Sequence, residues 1–574
     1  MDAPLRPEAG WDHAADVIVV GSGNGALTTA LCCHEMGLPD VLVIEKSGQY
    51  GGTSSISGGG VWIPNNHLAA EAGASDSLED ARAYLQATLP AHIAPERIEA
   101  YLREAPRMMR FLHQRTRVRY RSLGQYPDYY TDLPGARSGH RSMEPEPLNV
   151  SVLGAEWRRL RTTHPMMYLQ GRIAFTAAEA HVLLTRGEGF WPLVLRLMAQ
   201  YWLDVPWRLK SRLSRRLACG AAGVARLRWS MLDRGLPLWL DTPMQSLLAD
   251  DAGRITGVQV QRGGRTLRIR ARRGVVLAAG GFEANQAMRE QYLPAPTNAD
   301  WSAGCKSNTG DAIRAAMAVG AATDQMDGAW WCTTFSTPGE ALPRLAIMEK
   351  SLPGSCVVDR AGQRIANESQ NYMAYQLALF QRHSTERPCV PAWMVFDARF
   401  RRSYLAGPLL TSGDLPDHRI PKAWIDSGFV TIAATVDELA ARTGIAAEGL
   451  KHTLSRMNEF AGTGRDLDFQ RGDTAYDRYY GDARVQPNPC LAPIAEAPFY
   501  ALRMEPGDFG THGGLVTDAD ARVLDGQRRP IEGLYATGNC AAALLPTYPG
   551  PGATLGPAMT FGWQAARHLS GWTG

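Results

Sequence analysis

Nowhere among the nine cysteines of this chain do two stand in a Cys-x-x-Cys spacing. That absence removes the usual attachment for haem, the paired ligands of a structural zinc site and the half-cystine framework of a small secreted domain. No metal site is therefore expected, and the thiols suit a reducing, cytoplasmic setting. No run of about 20 apolar residues occurs, so no segment is long enough to span a bilayer as a helix. Acids and prolines fill the stretch before the first apolar strand, which excludes a signal peptide there. Charge of one sign is also lacking. Against 60 Lys and Arg stand 57 Asp and Glu, a net +3, which points to neither nucleic acid nor an acidic substrate.

What the chain does have is bulk and apolar surface. Its 574 residues exceed one compact core, so two domains are expected. Hydrophobic residues make up 45%, with 15 Trp and 19 Tyr, enough to bury large surfaces.

Glycine marks the chemistry. Asp16-Val17-Ile18-Val19-Val20 reads as a buried parallel strand and leads into Gly21-Ser22-Gly23-Asn24-Gly25-Ala26, the G-x-G-x-x-A form. A helical stretch follows over 26–36, then a second strand, Val41-Leu42-Val43-Ile44, ending in Glu45. A dinucleotide pyrophosphate on that helix N-terminus, with Glu45 on ribose hydroxyls, accounts for the spacing. After Lys46, the run Gly51-Gly52-Thr53-Ser54-Ser55-Ile56-Ser57-Gly58-Gly59-Gly60 is too polar for core and suits a second phosphate and a flat ring. Gly274-Val275-Val276-Leu277-Ala278-Ala279-Gly280-Gly281-Phe282 and Gly533-Leu534-Tyr535-Ala536-Thr537-Gly538-Asn539 each repeat the strand-then-glycine pattern. Four such segments spread along the chain fit one long, non-covalently held FAD better than four separate sites.

A fifth segment differs in kind. In Tyr548-Pro549-Gly550-Pro551-Gly552-Ala553-Thr554-Leu555-Gly556-Pro557, proline forbids helix and central strand while glycine lets a ligand approach the backbone. A rigid loop offering a phenol and one or two amides suits an oxygen that gains negative charge.

Taken together, the segments 52–64 (ending Gly60-Val61-Trp62-Ile63-Pro64), 277–283, Gly510-Thr511-His512-Gly513-Gly514, 534–539 and 548–560 resemble the 3-ketosteroid Δ1-dehydrogenases, within the wider fumarate reductase and succinate dehydrogenase flavoprotein group. The Tyr-Pro-Gly-Pro-Gly loop is the most specific of them. One departure stands out: His512 takes a position where lysine is expected beside the flavin.

The resemblance implies FAD-dependent loss of a C1 hydride to flavin N5 and of a C2 proton to a tyrosine base in a hydrophobic 3-ketosteroid. Tyr548 and the Gly552 amide would hold the C3 oxygen. Tyr372, in Asn367-Glu368-Ser369-Gln370-Asn371-Tyr372, would be the base. A phenol titrates near 10, so a neighbouring phenol is expected to lower it by hydrogen bonding. Tyr129 matches that helper, with Tyr126 and Tyr130 as alternatives. Cofactor contacts are expected from Gly21, Gly23, Asn24, Gly25, Ala26, Glu45, Lys46, Gly52, Thr53, Ser54, Ser57, Gly58, Gly59, Met244, Ala279, Gly280, Gly281, His512, Gly513, Gly538, Asn539, Thr554 and Leu555. Other readings are a steroid Δ4-dehydrogenase, an enoate reductase of the fumarate type and a non-catalytic flavin-bearing protein. No motif names the electron acceptor.

The fold class that follows is α/β with α+β character: a Rossmann-like FAD-binding domain over 1–282 and 496–574, carrying a helical insertion at about 160–235, and an inserted catalytic or capping domain over 283–495. Within the insertion, 190–217 reads as one helix with aromatics and aliphatics at helical spacing. Its end, 207–216, interleaves five basic residues with Trp and Leu. Two readings stand for it: a peripheral helix at a membrane surface, or a hairpin packed on the body with a solvated cationic face.

Overall fold

The apolar run at the N-terminus forms strand His13–Val20, which has parallel neighbours on both sides, Val41–Ile44 and Arg265–Leu277. Buried on both faces, such strands need uninterrupted Val and Ile, and that is what the sequence supplies. The computed structural model describes residues 10–185 and 189–573. Its larger sheet has eight strands, in the order Leu238–Trp239, Val41–Ile44, His13–Val20, Arg265–Leu277, Ile255–Arg262, Met244–Ala249. Strand Pro530–Ala536 lies parallel against Arg265–Leu277 and carries Arg522–Leu524 on it. Thus the first, third and fourth glycine segments all leave the same end of neighbouring parallel strands, where open α/β sheets place their ligands.

Helix Asn24–Glu35 packs on this sheet and against the C-terminal helix Leu555–Ser570. Helix Cys219–Leu232, the last element of the insertion, covers the same helix. All nine cysteines are buried and unpaired.

A second sheet of six strands is antiparallel throughout, in the order Arg344–Leu345, Ala329–Phe335, Phe499–Thr511, Ala392–Phe396, Ser355–Val358, with Val430–Ala433 also paired to Phe499–Thr511. Strand Phe499–Thr511 lies beyond the boundary expected near residue 496, yet its strand partners all belong to this second sheet. Its length, 13 residues, lets it serve three partners at once.

The helix expected over 190–217 is broken. Helix Phe190–Trp202 is followed by the short turn Val205–Arg208 and by strand Arg216–Leu217. Pro206 cannot donate in a helix interior, so the chain restarts there with proline in the first turn.

Candidate active site

At the end of strand His13–Val20 the backbone turns at Gly21, whose φ is +111°. A Cβ there would lie 2.2 Å from the Ala278 carbonyl oxygen, so only glycine permits this approach. Helix Asn24–Glu35 starts with no side-chain cap. The Asn24 amide donates to Ser54 Oγ at 3.0 Å, while the Gly25 and Ala26 amides have no partner among the described residues. An uncapped helix N-terminus lined by glycine is a seat for a phosphate.

Next to it, Glu45 accepts from Ser22 Oγ at 2.6 Å and from the Ser47 amide at 2.9 Å, and burial raises its pKa. Thr53 Oγ1 accepts from the Cys305 amide at 2.9 Å and from Asn308 Nδ2 at 3.1 Å. The Ala279 amide donates to Cys540 Sγ at 3.0 Å, tying the third glycine segment to the fourth.

These segments border one cavity of about 280 Å³. Of the expected cofactor residues, Gly23, Asn24, Gly25, Glu45, Gly52, Thr53, Ser54, Ser57, Gly58, Gly59, Ala279, Gly280, Gly538, Asn539, Thr554 and Leu555 line it. Gly21, Lys46 and Met244 face a smaller adjoining space of about 40 Å³, shared with Glu45, Gly52 and Ala279. Lys46 is engaged there, its Nζ donating to Thr309 Oγ1 at 2.7 Å and pairing with Asp311. Ala26, Gly281 and Gly513 line none of these spaces. Gly281 packs on the Thr511 side chain and Gly513 on the backbone of Gln325 and Met326, close approaches that alone account for the glycines.

His512 is buried against Trp330, ring centroids 5.0 Å apart, at a third space of about 30 Å³ that also touches Arg97, Asn539 and Thr554. Burial lowers its pKa to about 4, so its ring is neutral at pH 7.

At the other end of the main cavity stand three tyrosines. Ring centroids of Tyr129 and Tyr372 are 5.5 Å apart, of Tyr129 and Tyr548 5.7 Å, and of Tyr372 and Tyr548 5.6 Å. The Tyr548 loop is pinned by its neighbours. The Pro549 carbonyl accepts from the Tyr129 amide at 2.9 Å and from the Tyr84 hydroxyl at 2.6 Å. The Gly552 carbonyl accepts from the Trp62 amide at 3.1 Å, and Tyr130 Oη donates to the Thr547 carbonyl at 2.8 Å. These bonds hold Tyr548 at φ +57°, a left-handed conformation that a bulky residue rarely adopts. Gly552, at φ +100°, sits where a Cβ would be 2.5 Å from Gly60 C and Val61 N. Behind Tyr129, Asp128 accepts from Trp62 Nε1 at 2.8 Å and pairs with Arg141 at 2.9 Å.

Tyr372 opens helix Tyr372–Arg382, capped by Asn371, whose Oδ1 accepts from the Ala374 amide at 2.9 Å. The segment before it is held by Lys350, which donates to the carbonyls of Glu368 at 2.7 Å and Gln370 at 3.0 Å. Among the candidate helpers, Tyr129 has its ring against both Tyr372 and Tyr548. Tyr126 shares a 2.6 Å hydroxyl contact with Tyr480, and Tyr130 is committed to the Thr547 carbonyl.

Tyr129 acts on Tyr372 in the expected direction, and burial outweighs it. Burial drives Tyr372 well above the usual phenol range, and the hydrogen bond from Tyr129 only opposes that rise. Tyr548 is raised by burial as well. The cavity therefore holds neutral phenols. Residues not foreseen from sequence complete it: Trp330, Phe509, Met166, Met167, Met348, Tyr479 and His181. They come from segments with no motif; only the tyrosine-rich 476–480 stretch carried a signal. No Lys or Arg lines the cavity among the described residues. His164 at its edge is pushed down by burial to about 4 and is also neutral.

The residues fit FAD: an uncapped helix end for pyrophosphate, a buried acid at the second strand's end, and a glycine-walled space leading to the phenols.

Comparison with known proteins agrees. The FAD binding domain family matches residues 16–555. The 3-oxosteroid 1-dehydrogenase of Mycobacterium tuberculosis is 40% identical over 97% of this chain and 98% of its own. The 4-oxocyclohexanecarboxylate 2-dehydrogenase of Sinomonas cyclohexanicum is 38% identical over 97% and 93%. The crystal structure of 3-ketosteroid Δ1-dehydrogenase from Sterolibacterium denitrificans, in complex with 1,4-androstadiene-3,17-dione, superimposes with a TM-score of 0.94 at 48% identity, covering 97% of this chain and 99% of that one. The glycine cradle, the phenol triangle and these likenesses agree: the chain is a flavoprotein of the FAD binding domain family and belongs, within it, to the 3-oxosteroid 1-dehydrogenases.

Proposed function

We propose that the protein dehydrogenates the C1–C2 bond of a neutral 3-ketosteroid. The observation that carries this reading is the triangle of Tyr129, Tyr372 and Tyr548 at the end of a glycine-walled cavity that no Lys or Arg lines among the described residues. The names of the relatives support it.

FAD, when bound, supplies the two-electron acceptor for the C1–H bond. The chain's own residues deal with the proton and the oxygen. Tyr548 Oη and the Gly552 N–H hold the C3 oxygen and stabilise charge that develops on it. That polarisation acidifies C2–H, and Tyr372 Oη receives the proton. Tyr129 donates to Tyr372 and stabilises its phenolate. Because burial keeps Tyr372 protonated, its own proton has to pass to solvent before the phenolate oxygen can take the one from C2. We propose a catalytic unit over 283–511, its C-terminal boundary placed after strand Phe499–Thr511, and a cofactor unit from the remainder.

A second reading is a smaller cyclic ketone bearing a carboxylate, the kind of substrate named for the Sinomonas enzyme. A carboxylate in this cavity would be buried without a cation, at a cost of several kcal/mol. The same argument weighs against fumarate.

Anaerobic addition of androst-4-ene-3,17-dione to the FAD-loaded protein tests the reading. Bleaching of the visible flavin band with formation of a 1,4-dien-3-one is expected. A product desaturated elsewhere, or bleaching by carboxylate substrates alone, would overturn it. In Tyr548→Phe, kcat/KM should fall about a hundredfold or more while the flavin stays bound; unchanged turnover removes the assignment of this tyrosine.

A further inference from the structure

One cation lies buried beside the cofactor cradle without a partner for its charge. Arg97 stands in the first turn of helix Pro95–Arg115 and is 7% exposed. Its Nη2 donates to the Ala542 carbonyl at 3.1 Å, and its guanidinium lies 5.1 Å from the Phe561 ring centroid. Nε is buried and has no hydrogen-bond partner among the described residues. Asp518, Glu96 and Asp324 are the acids whose fields act on it, yet none forms an ion pair with it among the described residues. Burial lowers its pKa to about 10, so it stays charged at neutral pH. An unpaired buried charge is costly, and the Ala542 carbonyl needs only a neutral donor.

What it faces is the flavin site. Arg97 borders the space of about 30 Å³ that His512 also lines, and it is the one Lys or Arg there among the described residues. Trp330, Gly538, Asn539, Thr554 and Ala558 line both that space and the main cavity. Helix Leu555–Ser570 begins at the same place with no side-chain cap. Thr554, Pro557, Ala558 and Phe561, at helical spacing, form the wall that runs from the cradle to Arg97. The positive end of that helix and the guanidinium thus border one space. His512 is neutral and adds no charge to it.

Hydride arrival changes the charge of whatever occupies the cradle. One hydride brings two electrons and one proton to oxidised flavin, so the ring becomes a monoanion with its negative charge on the pyrimidine edge, N1 and C2=O. The proton that the steroid loses goes to Tyr372 and does not cancel it. We propose that Arg97 is the countercharge of the reduced flavin: the pyrimidine edge points toward it, and its guanidinium raises the reduction potential and keeps the hydroquinone anionic. This role needs FAD in the cradle and is independent of which ketone gives up the hydride.

The test is the reduction potential of the FAD-loaded protein, read without steroid by equilibration with a reference dye, in the parent, Arg97→Gln and Arg97→Lys. Gln keeps a donor for the Ala542 carbonyl and removes the charge, whereas Lys keeps the charge. In Arg97→Gln the ratio of reduced to oxidised flavin at a given dye poise should fall about tenfold or more, equivalent to about 30 mV for two electrons. Arg97→Lys should recover most of that loss. An unchanged potential in Arg97→Gln overturns the proposal. So does an equal loss in Arg97→Lys, which makes Arg97 a pin for the Ala542 loop and nothing more. If Arg97→Gln sheds its flavin, the parent decides. Its reduced flavin should keep the anionic absorption spectrum through the mildly acidic range in which free reduced FAD takes up a proton, and protonation like the free cofactor overturns the proposal. A flavin that no ketosteroid bleaches sinks the substrate reading and leaves these potentials to judge Arg97.

Discussion

Tyr372 shows how a side chain's chemistry is set by what surrounds it. Its position was legible in the Asn-Glu-x-x-x-Tyr spacing, but its ionisation was not, since burial outweighs the phenol beside it. The direction has a kinetic consequence. Donation from Tyr129 favours the Tyr372 phenolate, so Tyr129→Phe raises the Tyr372 pKa further. The alkaline rise of kcat/KM should shift to higher pH in that variant, with lower activity at neutral pH; superimposable profiles would exclude the helper role. His512 carries the opposite sign. Its folded pKa of about 4 lies below the unfolded value of about 6.5. Between those values the unfolded chain binds a proton that the folded one does not, so this histidine costs stability progressively as pH falls through the window. In urea unfolding of the holoprotein, His512→Gln should therefore gain on the parent from pH 7 toward pH 4.5 and show no such trend above pH 7. A gap that stays constant with pH would place a charged or solvated ring at 512.

At the scale of elements, strands and their glycine turns were readable because parallel strands buried on both faces require apolar runs. The turn after strand His13–Val20 admits no Cβ, with Ala278 O 2.2 Å away and φ at +111°. Gly21→Ala should lower stability by about 2–4 kcal/mol and release flavin, read from the urea midpoint and the flavin-to-protein absorbance ratio. Retention of full flavin and midpoint would show that the Ala278 backbone yields freely. The segment 190–217 was misread as one helix because helical spacing of apolar residues continues across Pro206, and periodicity alone does not register the missing donor. Glycine signatures did not reveal that strand Phe499–Thr511 pairs within the second sheet, because they mark cofactor turns and not sheet membership.

At the scale of the molecule, the cavity draws on both sheets, the insertion and the C-terminal helix. FAD bound there links residues as distant as Gly23 and Leu555, so its removal should loosen the whole fold. The thermal midpoint of stripped protein should rise with added FAD, by the equivalent of about 2.7 kcal/mol at a hundredfold excess over Kd. A midpoint indifferent to FAD would mean that the cradle is fully formed in unfolded-like ensembles or does not bind it. No helix among the described residues is long and apolar enough to cross a membrane.

The sequence by itself determined the cofactor class, the four glycine turns and the phenol-bearing loop, since these depend on local backbone freedom and on residue types at short spacing. Only the tertiary structure decided which tyrosine stands against Tyr372, that burial keeps the phenols neutral, that no Lys or Arg among the described residues lines the cavity, and that one face of helix Phe190–Trp202 is left bare. Each of those depends on contacts between segments hundreds of residues apart, where burial and proximity, not spacing along the chain, govern the energy.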